Sequence, residues 1–323
     1  MIINDPIYGK VKIESNAAVE IIKSAPFQRL KKIAQYGIPD KYYFKNNITR
    51  FEHSVGVMLL LKNLGASEKE QIAGLLHDIS HTAFSHLIDW VIGKGGGDEN
   101  FQDQHHKNFM NSKTLSNILR KYKFIPEEIF DYKHFGLLER PLPMLCADRA
   151  DYSLREFPKA KARFCINNLL VLDNKIVFNN KKAAKLFALN YLSIQENHWG
   201  GFEANARYFI FANLLRYALD KKIIKFKDFW KYDQYIIEKL EKSKDGKILK
   251  TLKVLRNKSL RKYKMSKLMQ KRKFRRVDPQ FLEKNKLVTL SEKDKHFFKI
   301  LQRAKKENHL GTPIPILEYF GGI

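Results

Sequence analysis

Apolar residues recur with helical spacing over most of the chain. This periodicity predicts helices in five segments: 18–36, 54–64, 67–80, 112–133 and 181–222. Ser67 with Glu70 forms a capping-box pattern at the start of the third segment. Residues 170–180 instead alternate around an Asp-Asn pair, which predicts a short β-hairpin. We therefore predict an all-α fold class, a mostly helical bundle with one hairpin.

Proline and glycine refine this picture. Pro141 and Pro143 predict the opening of another helix that continues through residues 148–156. The glycine-rich run 93–98 predicts a loop, because no Gly-Lys-Ser/Thr sequence follows that would make it a phosphate loop. Residues 234–276 are predicted to be helical and highly basic.

Charge is distributed unevenly. The net charge is +26, and residues 221–276 contain 22 lysines and arginines against five acidic residues. This balance favours acidic partners such as nucleotides or nucleic acid, and the alternative is a lysine-rich solvated surface. Residues 242–276 interleave their basic side chains with Tyr263 and Phe274, as grooves that follow a nucleic-acid backbone do.

Several features indicate where the chain works. Two cysteines argue against a disulfide scaffold, and the N-terminus has no basic flank followed by an apolar run. No stretch reaches 18 uninterrupted apolar residues, so we predict no membrane partner and a cytoplasmic location. The length of 323 residues allows a main domain over residues 1–222, with a basic helical region over 223–323 packed on it.

Ionisable residues interrupt three segments that otherwise have the composition of a protein interior. They are His53, the pair His77 and Asp78, and Asp148. Such groups are costly to bury unless they are paired or bind a metal ion. A His-Asp pair alone would be interpreted as a hydrogen-bonded core pair. Together, two imidazoles and two carboxylates favour a site for Mn, Fe, Ni, Co or Zn.

A second group of acid–base residues follows within about 25 residues: His81, His86, Asp89, His105 and His106. His81 lies four positions after His77, which predicts that the two share a helix face. Histidine can move protons near neutral pH, and a carboxylate partner would make it more basic. For any single histidine, a surface or capping role is the alternative.

These residues belong to a series of short motifs that follow one another along the chain. They are Asn4-Asp-Pro-Ile-Tyr-Gly9, Phe27-Gln-Arg-Leu30, Ile33-Ala-Gln-Tyr-Gly37, Arg50-Phe-Glu-His-Ser-Val-Gly56, His77-Asp78, His81-Thr-Ala-Phe-Ser-His86 and Asp148-Arg-Ala-Asp-Tyr152. The set resembles the HD-domain superfamily. More narrowly, it resembles the branch of SAM-and-HD-domain dNTP triphosphohydrolases and bacterial dGTPase-like proteins. The match is dense over residues 1–160 and weakens over 160–222.

The resemblance implies roles for named residues. The implied metal ligands are His53, His77, Asp78 and Asp148, and the implied catalytic residues are His81, His86, Asp89 and His105. The implied substrate-binding residues are Gln35, Tyr36, Arg50, Arg149, Tyr152 and Glu156. The resemblance also implies a homo-oligomer, a dimer or larger, and a Mg²⁺ ion that could accompany the phosphates.

The chain departs from the family pattern at three places. His106 stands where the family usually has Glu, and Tyr36 stands where a smaller apolar residue is usual. The family's sugar-stacking motif, an Arg, a Tyr and a His-Lys pair on one helix, has no clear match in residues 195–207.

The resulting hypothesis is hydrolysis of a (deoxy)nucleoside triphosphate to nucleoside and triphosphate. Water would attack the α-phosphorus, Arg50 and Arg149 would offset the developing charge, and His86 or His105 would protonate the departing 5′-oxygen. One alternative is an HD-type nucleotidase or phosphodiesterase that acts on another nucleotide. The other is a nucleic-acid-binding protein with a vestigial HD site.

Overall fold

Helices dominate the fold, and the predicted fold class is confirmed. A computed structural model describes residues 1–93, 99–110 and 112–317 of the chain. Its helices are α1 Asn16–Lys23, α2 Ala25–Gln28, α3 Arg50–Asn63, α4 Glu68–Leu76, α5 Leu87–Val91, α6 Phe101–Met110, α7 Lys113–Lys121, α8 Pro126–Phe130, α9 Ala147–Leu154, α10 Lys159–Ile166, α11 Lys181–Ile194, α12 Phe202–Asp220, α13 Asp233–Lys242, α14 Gly246–Leu255, α15 Leu290–Lys293 and α16 Lys295–Leu310. A π-helical turn, Gln195–Trp199, joins α11 to α12.

In the part of the chain that the structure describes, short strands form three small sheets. They are β1 Ile2–Asp5, β2 Gly9–Lys12, β3 Leu169–Leu172, β4 Lys175–Phe178, β5 Met265–Gln270, β6 Gln280–Glu283, β7 Lys286–Thr289 and β8 Thr312–Pro315. The predicted hairpin is confirmed, because β3 pairs antiparallel with β4 around Asp173 and Asn174, whose φ angles are 49° and 55°. β6 extends this sheet by pairing parallel to β4, and β5 pairs with β8.

Two helix predictions in the first half of the chain need correction. The predicted helix over 67–80 ends at Leu76, and the following turn is closed by the amide of His81 on the carbonyl of Asp78. His77 and His81 therefore do not share a helix face. The predicted helix over 18–36 is likewise interrupted at Ser24, which separates α1 from α2, and α2 ends at Gln28 and gives way to a 3₁₀ turn.

The later predictions also need correction. The helix expected from Pro141 begins only at Ala147. In the basic segment, helix ends at Leu255, and strand β5 follows where helix was predicted to run on to residue 276. The partner of β5 is β8, more than 40 residues away along the chain, so local periodicity gave no sign of it. Residues 94–98 of the predicted glycine-rich loop lie outside the described residues.

Two apolar clusters make up the interior. One packs α1, α3, α4, α7, α9, α10, α11 and α16 together, and the other packs α5, α12, α13 and α14. Both cysteines are buried and free, as expected. Within the described residues, no helix combines the length and the apolar character that crossing a bilayer requires.

Arg207 on α12 ties the C-terminal region to the rest of the chain. Its guanidinium is fully buried and donates hydrogen bonds to the carbonyls of Tyr42 at 2.9 Å, Leu255 at 2.6 Å and Asn257 at 2.6 Å. One turn earlier, Glu203 accepts the backbone N–H of Leu260 at 2.9 Å. A buried cation of this kind is stable only while its acceptors are in place.

Candidate active site

Four side chains from three segments that are distant in sequence, His53, His77 with Asp78, and Asp148, meet at one point between α3, the end of α4 and the start of α9. The Nε2 atom of His53 lies 2.9 Å from Oδ1 of Asp148 and 3.7 Å from Oδ2 of Asp78. The Nε2 atom of His77 lies 3.5 Å from both of these carboxylates. The two Nε2 atoms are 3.3 Å apart, so all four side chains face a common centre.

Local sequence places each of the four. Thr49 and Glu52 form a full capping box that starts α3, which carries His53 on its second turn. α4 starts at Ser67, whose side chain accepts from the amide of Glu70. The Glu70 side chain caps Leu137 and Leu138 instead, so only half of the predicted capping box forms. His77 ends α4 as its C-cap, and Asp148 lies in the first turn of α9.

A buried network that the sequence did not reveal holds His53. Its Nδ1 atom lies 2.7 Å from Oδ2 of Asp151, and Asp151 also accepts hydrogen bonds from Arg155 at 2.8 Å and from the Tyr8 hydroxyl at 2.9 Å. Arg155 in turn binds Asp5 at 2.8 Å. The orientation of His53 is therefore fixed from its outer side, as is usual for histidines that bind metal ions.

Gly56 lies one turn after His53, against this network. A Cβ atom added there would overlap Nη2 of Arg155 and Oδ1 of Asp151. The glycine in Arg50-Phe-Glu-His-Ser-Val-Gly56 is thus required by the close approach of the Asp151–Arg155 pair.

The four side chains are electrostatically coupled. Burial opposes charge on His77, but Asp78 and Asp148 outweigh it and raise the pKa of His77 to about 9. Burial similarly opposes charge on His53, whose pKa is nevertheless raised by Asp148 and Asp151. Burial also opposes charge on Asp78, and the positive charge of Arg50 overcomes it and holds that pKa well below its usual range. The neighbouring carboxylates thus stabilise the protonated form of each imidazole.

This donor set fits a divalent metal ion. Nitrogen and oxygen ligands about 2.0–2.2 Å from one ion lie about 3.0–3.5 Å from each other. The observed separations of 2.9–3.7 Å agree with that spacing. His53, His77 and Asp78 form a group that could hold a metal ion. Asp148 is the fourth side chain within reach of both imidazoles.

Metal loading should depend on pH. A histidine must lose its proton to bind a metal ion, and His77 has a pKa raised to about 9. We therefore expect metal affinity to rise by at least about tenfold per pH unit between pH 6 and 8, because the proton of His77 is displaced and His53, whose pKa is also raised, can release a second one. Titration of the chelator-treated protein with Mn²⁺ at several pH values measures this slope. An affinity independent of pH would contradict the proton displacement.

The implied catalytic histidines are only partly brought together. The ring of His81 packs edge-on against that of His86 at 4.8 Å, and its Nε2 lies 3.2 Å from Oδ1 of Asp78. Nδ1 of His86 is buried and has no hydrogen-bond partner among the described residues; it lies 4.0 Å from Asp89. Asp89 accepts the amides of residues 100 and 101 at the start of α6.

His105 lies apart from this group. Its ring packs against Phe101 at 4.5 Å and Trp230 at 5.2 Å and does not line the cavity beside the four-residue cluster. His106 is the buried histidine of that pair. It lies 3.0 Å from the Ser80 hydroxyl and is hydrogen-bonded to Tyr132, whose ring lines the cavity. The side chain that differs from the family pattern thus supports the cavity wall.

A cavity of about 470 Å³ opens beside the four-residue cluster. Both apolar clusters contribute to its wall, through Leu138 on one side and Tyr43 and Tyr208 on the other. Five cationic side chains also line it: Arg50, Arg149, Arg272, Lys273 and Arg275. This volume is within the range of about 300–1,000 Å³ that is usual for small-molecule sites.

The implied substrate-binding residues lie mostly in this cavity, which is lined by Gln35, Tyr36, Arg50, Arg149 and Tyr152. Glu156 is not part of the lining. Its carboxylate accepts hydrogen bonds from His198 and Trp199, both at 2.6 Å, and from Lys45 at 3.1 Å. The structure thus places Glu156 behind the wall that Tyr36 and Trp199 form.

The segment after β5 supplies part of the wall that the sequence did not predict. Arg275 is ion-paired with Glu99, and the guanidinium of Arg272 lies 4.2 Å from the centre of the Tyr208 ring. Among the described residues, neither Arg272 nor Lys273 forms an ion pair. The sequence signals were the density of basic residues in 271–276 and the string Arg275-Arg-Val-Asp-Pro279, a short, weaker echo of the family pattern.

Comparison with known proteins places this site in context. The HD domain profile matches residues 50–155, which contain all four side chains of the cluster. The chain is 34% identical over 331 residues to the uncharacterized protein YdhJ of Bacillus subtilis (strain 168), covering 98% of this chain and 100% of that protein. It is 40% identical over 156 residues to the metal-dependent phosphohydrolase cns2 of Cordyceps militaris, covering 48% and 45%. It is 31% identical over 154 residues to the deoxynucleoside triphosphate triphosphohydrolase SAMHD1 of Homo sapiens, covering 39% and 24%.

Proposed function

The chain belongs to the HD-domain family of metal-dependent phosphohydrolases, and from this premise we propose that it hydrolyses (deoxy)nucleoside triphosphates to nucleoside and triphosphate. One observation carries the proposal: five cationic and five acidic side chains line the cavity beside the four-residue cluster, and among the described residues the cations Arg272 and Lys273 have no ion-pair partner. Such a wall suits a polyphosphate better than a single phosphate. The 31% identity to SAMHD1 over 154 residues supports the same substrate class.

His53, His77, Asp78 and Asp148 would hold the divalent ion, which would supply Lewis-acid chemistry to a phosphoryl group. Arg50 and Arg149 act on the same group from fixed positions. Arg50 is held by Asp78 at 2.6 Å and Ser85 at 3.0 Å, and Arg149 by Glu139 at 3.2 Å. Because their orientation is set before substrate binds, they can stabilise charge without reorganisation.

His86 is the side chain that we propose protonates the departing 5′-oxygen. It lines the cavity, and among the described residues its Nδ1 atom has no hydrogen-bond partner. This atom can therefore form a new hydrogen bond to the substrate. Burial lowers the pKa of His86 well below its usual value, while the carboxylate of Glu99 opposes this effect. A bound polyphosphate would add further negative charge and favour the protonated form.

The experiment follows products and oxygen. Full-length protein is incubated with the four dNTPs and the four NTPs, with Mn²⁺ or Mg²⁺, in ¹⁸O-labelled water. We expect nucleoside and triphosphate, with the label in triphosphate because water attacks phosphorus. Failure to release nucleoside from any triphosphate would reject the proposal. Release of phosphate from 5′-monophosphates or cyclic nucleotides in a parallel screen would favour the HD-type nucleotidase or phosphodiesterase.

Asp151 should act through His53. We expect Asp151→Asn to weaken metal binding and lower kcat by about 10–100-fold, because the buried charge that orients His53 is lost. Asp173→Asn, in the exposed hairpin turn, is the matched control. Metal content and kcat are measured for both. Equal values for Asp151→Asn and the unmodified protein would show that His53 needs no support from Asp151.

Lys273 should bind the outer phosphates. It lines the cavity and is solvent-exposed, so Lys273→Ala should raise KM for a triphosphate by about tenfold with little change in the unfolding midpoint. Lys271→Ala, two positions earlier and outside the cavity lining, serves as the control. Steady-state kinetics on both variants decides the matter. Unchanged KM in both would place the phosphates elsewhere.

Two partner predictions remain. Nucleic-acid binding by the basic region would use the exposed lysines of α13 and α14, since Arg272, Lys273 and Arg275 face the cavity. Binding that disappears in moderate salt but survives His77→Ala would support it.

The homo-oligomer also stays a prediction, which sedimentation of the full chain can test.

A further inference from the structure

A second cavity, of about 480 Å³, shares Arg272 with the active-site cavity. Its wall is built from the π-helical turn Gln195–Trp199, the start of α12, α16 and the region around β8. Phe202, Phe274 and Pro313 provide apolar and aromatic surface. The HD domain profile ends at residue 155, so this cavity lies wholly in the part of the chain beyond it.

Four polar atoms of this wall are buried without a hydrogen-bond partner among the described residues: Oε1 of Gln195, Oδ1 of Asn205, Oγ1 of Thr312 and Nε of Arg272. The side chains of Gln195 and Asn205 belong to residues that are each only 1% exposed. A buried polar atom without a partner is costly, and most folded proteins contain few of them. Four in one cavity point to a ligand.

The orientation of the two amides decides what such a ligand must offer. Nε2 of Gln195 donates to the side-chain oxygen of Asn308 at 3.2 Å, and Nδ2 of Asn205 donates to the carbonyl of Gly200 at 3.1 Å. The amide nitrogens are therefore used within the protein, and both amide oxygens are left as acceptors. Nε of Arg272 is left as a donor, and the Thr312 hydroxyl can serve either way.

Formal charge in the second cavity is balanced. Glu196 and Glu307 face it together with Arg261 and Arg272. The balance favours a ligand without net charge, and the aromatic surface of Phe202 and Phe274 favours a planar one.

We propose that this cavity binds an uncharged heterocycle that carries an exocyclic amino group, as adenine, guanine and cytosine nucleosides do. The amino group supplies N–H donors to the amide oxygens of Gln195 and Asn205, while ring nitrogens or carbonyls of the ligand accept from Nε of Arg272 and from the Thr312 hydroxyl. Uridine and inosine offer a single N–H on the corresponding edge, so they leave one amide oxygen unpaired. The binding does not depend on the reaction in the neighbouring cavity.

Calorimetric titration of the full-length protein tests this, with adenosine, guanosine and cytidine as probes and inosine and uridine as matched ligands. We expect at least one amino-bearing nucleoside to bind about tenfold more tightly than inosine and uridine. Absence of binding by all three amino-bearing nucleosides overturns the proposal. The proposal is also overturned if inosine and uridine bind as tightly as the amino-bearing nucleosides.

Variants assign the binding to this cavity rather than to the active site. Gln195→Met keeps the side-chain length and removes the acceptor together with the Nε2 hydrogen bonds to Asn308 and Lys273, whereas Thr312→Val removes only a hydroxyl. Each should weaken binding by about tenfold. Gln71→Met, in a separate cavity, should leave it unchanged. If Gln195→Met does not fold, Thr312→Val carries the test. Unaltered affinity in the folded variants overturns the assignment.

Discussion

Replacing His77 with alanine should lower the rate of phosphohydrolysis by at least about a thousandfold, because several kcal/mol of metal-assisted stabilisation would be lost. His77 is one of four side chains whose ligand atoms are 2.9–3.7 Å apart. Removing one imidazole leaves the remaining three to hold the ion. The measurement is nucleoside release at saturating triphosphate and metal, together with the metal content of the purified variant.

Folding must be separated from this loss of activity. His77 lies at the end of α4 and lines the cavity, so its removal should have only a small effect on the unfolding midpoint of the chelator-treated protein, whereas the effect on the rate is large. His134→Ala is the matched control, because that side chain is 76% exposed and remote from the cluster. A His77→Ala protein with nearly full activity would show that the cluster has another role.

Replacing Gly56 with alanine should destabilise the folded protein by about 3–5 kcal/mol, a range given by the breaking of a buried ion pair. The added methyl group would overlap both Arg155 and Asp151, whose side chains are almost fully buried. Either the pair separates or α3 shifts, and in both cases His53 loses its fixed orientation. We therefore expect the loss of stability and the loss of activity to occur together.

Gly246→Ala provides the comparison for this prediction. Gly246 opens α14, has no neighbour within 4 Å of an added Cβ atom and needs no left-handed backbone, so alanine should be neutral or slightly stabilising there. Chemical denaturation of both variants gives the two free energies of unfolding. A Gly56→Ala protein as stable as Gly246→Ala would mean that the Asp151–Arg155 pair adapts easily.

The sequence allowed prediction of those features that depend on local pattern or on side-chain chemistry. Helical periodicity indicated the bundle, and the Asp-Asn pair indicated the β3–β4 hairpin. The need to pair or bind buried ionisable groups singled out His53 and Asp148, which are 95 residues apart and yet lie in contact. These inferences needed no knowledge of tertiary packing.

Other features depended on contacts that no local pattern records. Asp151 appeared in the sequence only as a member of the motif Asp148-Arg-Ala-Asp-Tyr152 without an assigned role, and its role became visible once Nδ1 of His53 was seen to lie beside it. His105 shares a short helix with His106, and the packing of its ring on Trp230 directs it away from the cavity. The pairing of β5 with β8, more than 40 residues further along the chain, positions β5 and the basic residues after it.

The buried guanidinium of Arg207 has a consequence for any attempt to dissect the chain. A fragment that stops at residue 222 would keep this cation and lose the carbonyls of Leu255 and Asn257 that now accept its hydrogen bonds. The same truncation removes α13 and α14, which pack with α12 in the second apolar cluster, so apolar side chains of α12 that are now buried would face water. A fragment of residues 1–222 should therefore be insoluble or molten when expressed alone, and the distal hundred residues are best regarded as an obligatory internal scaffold.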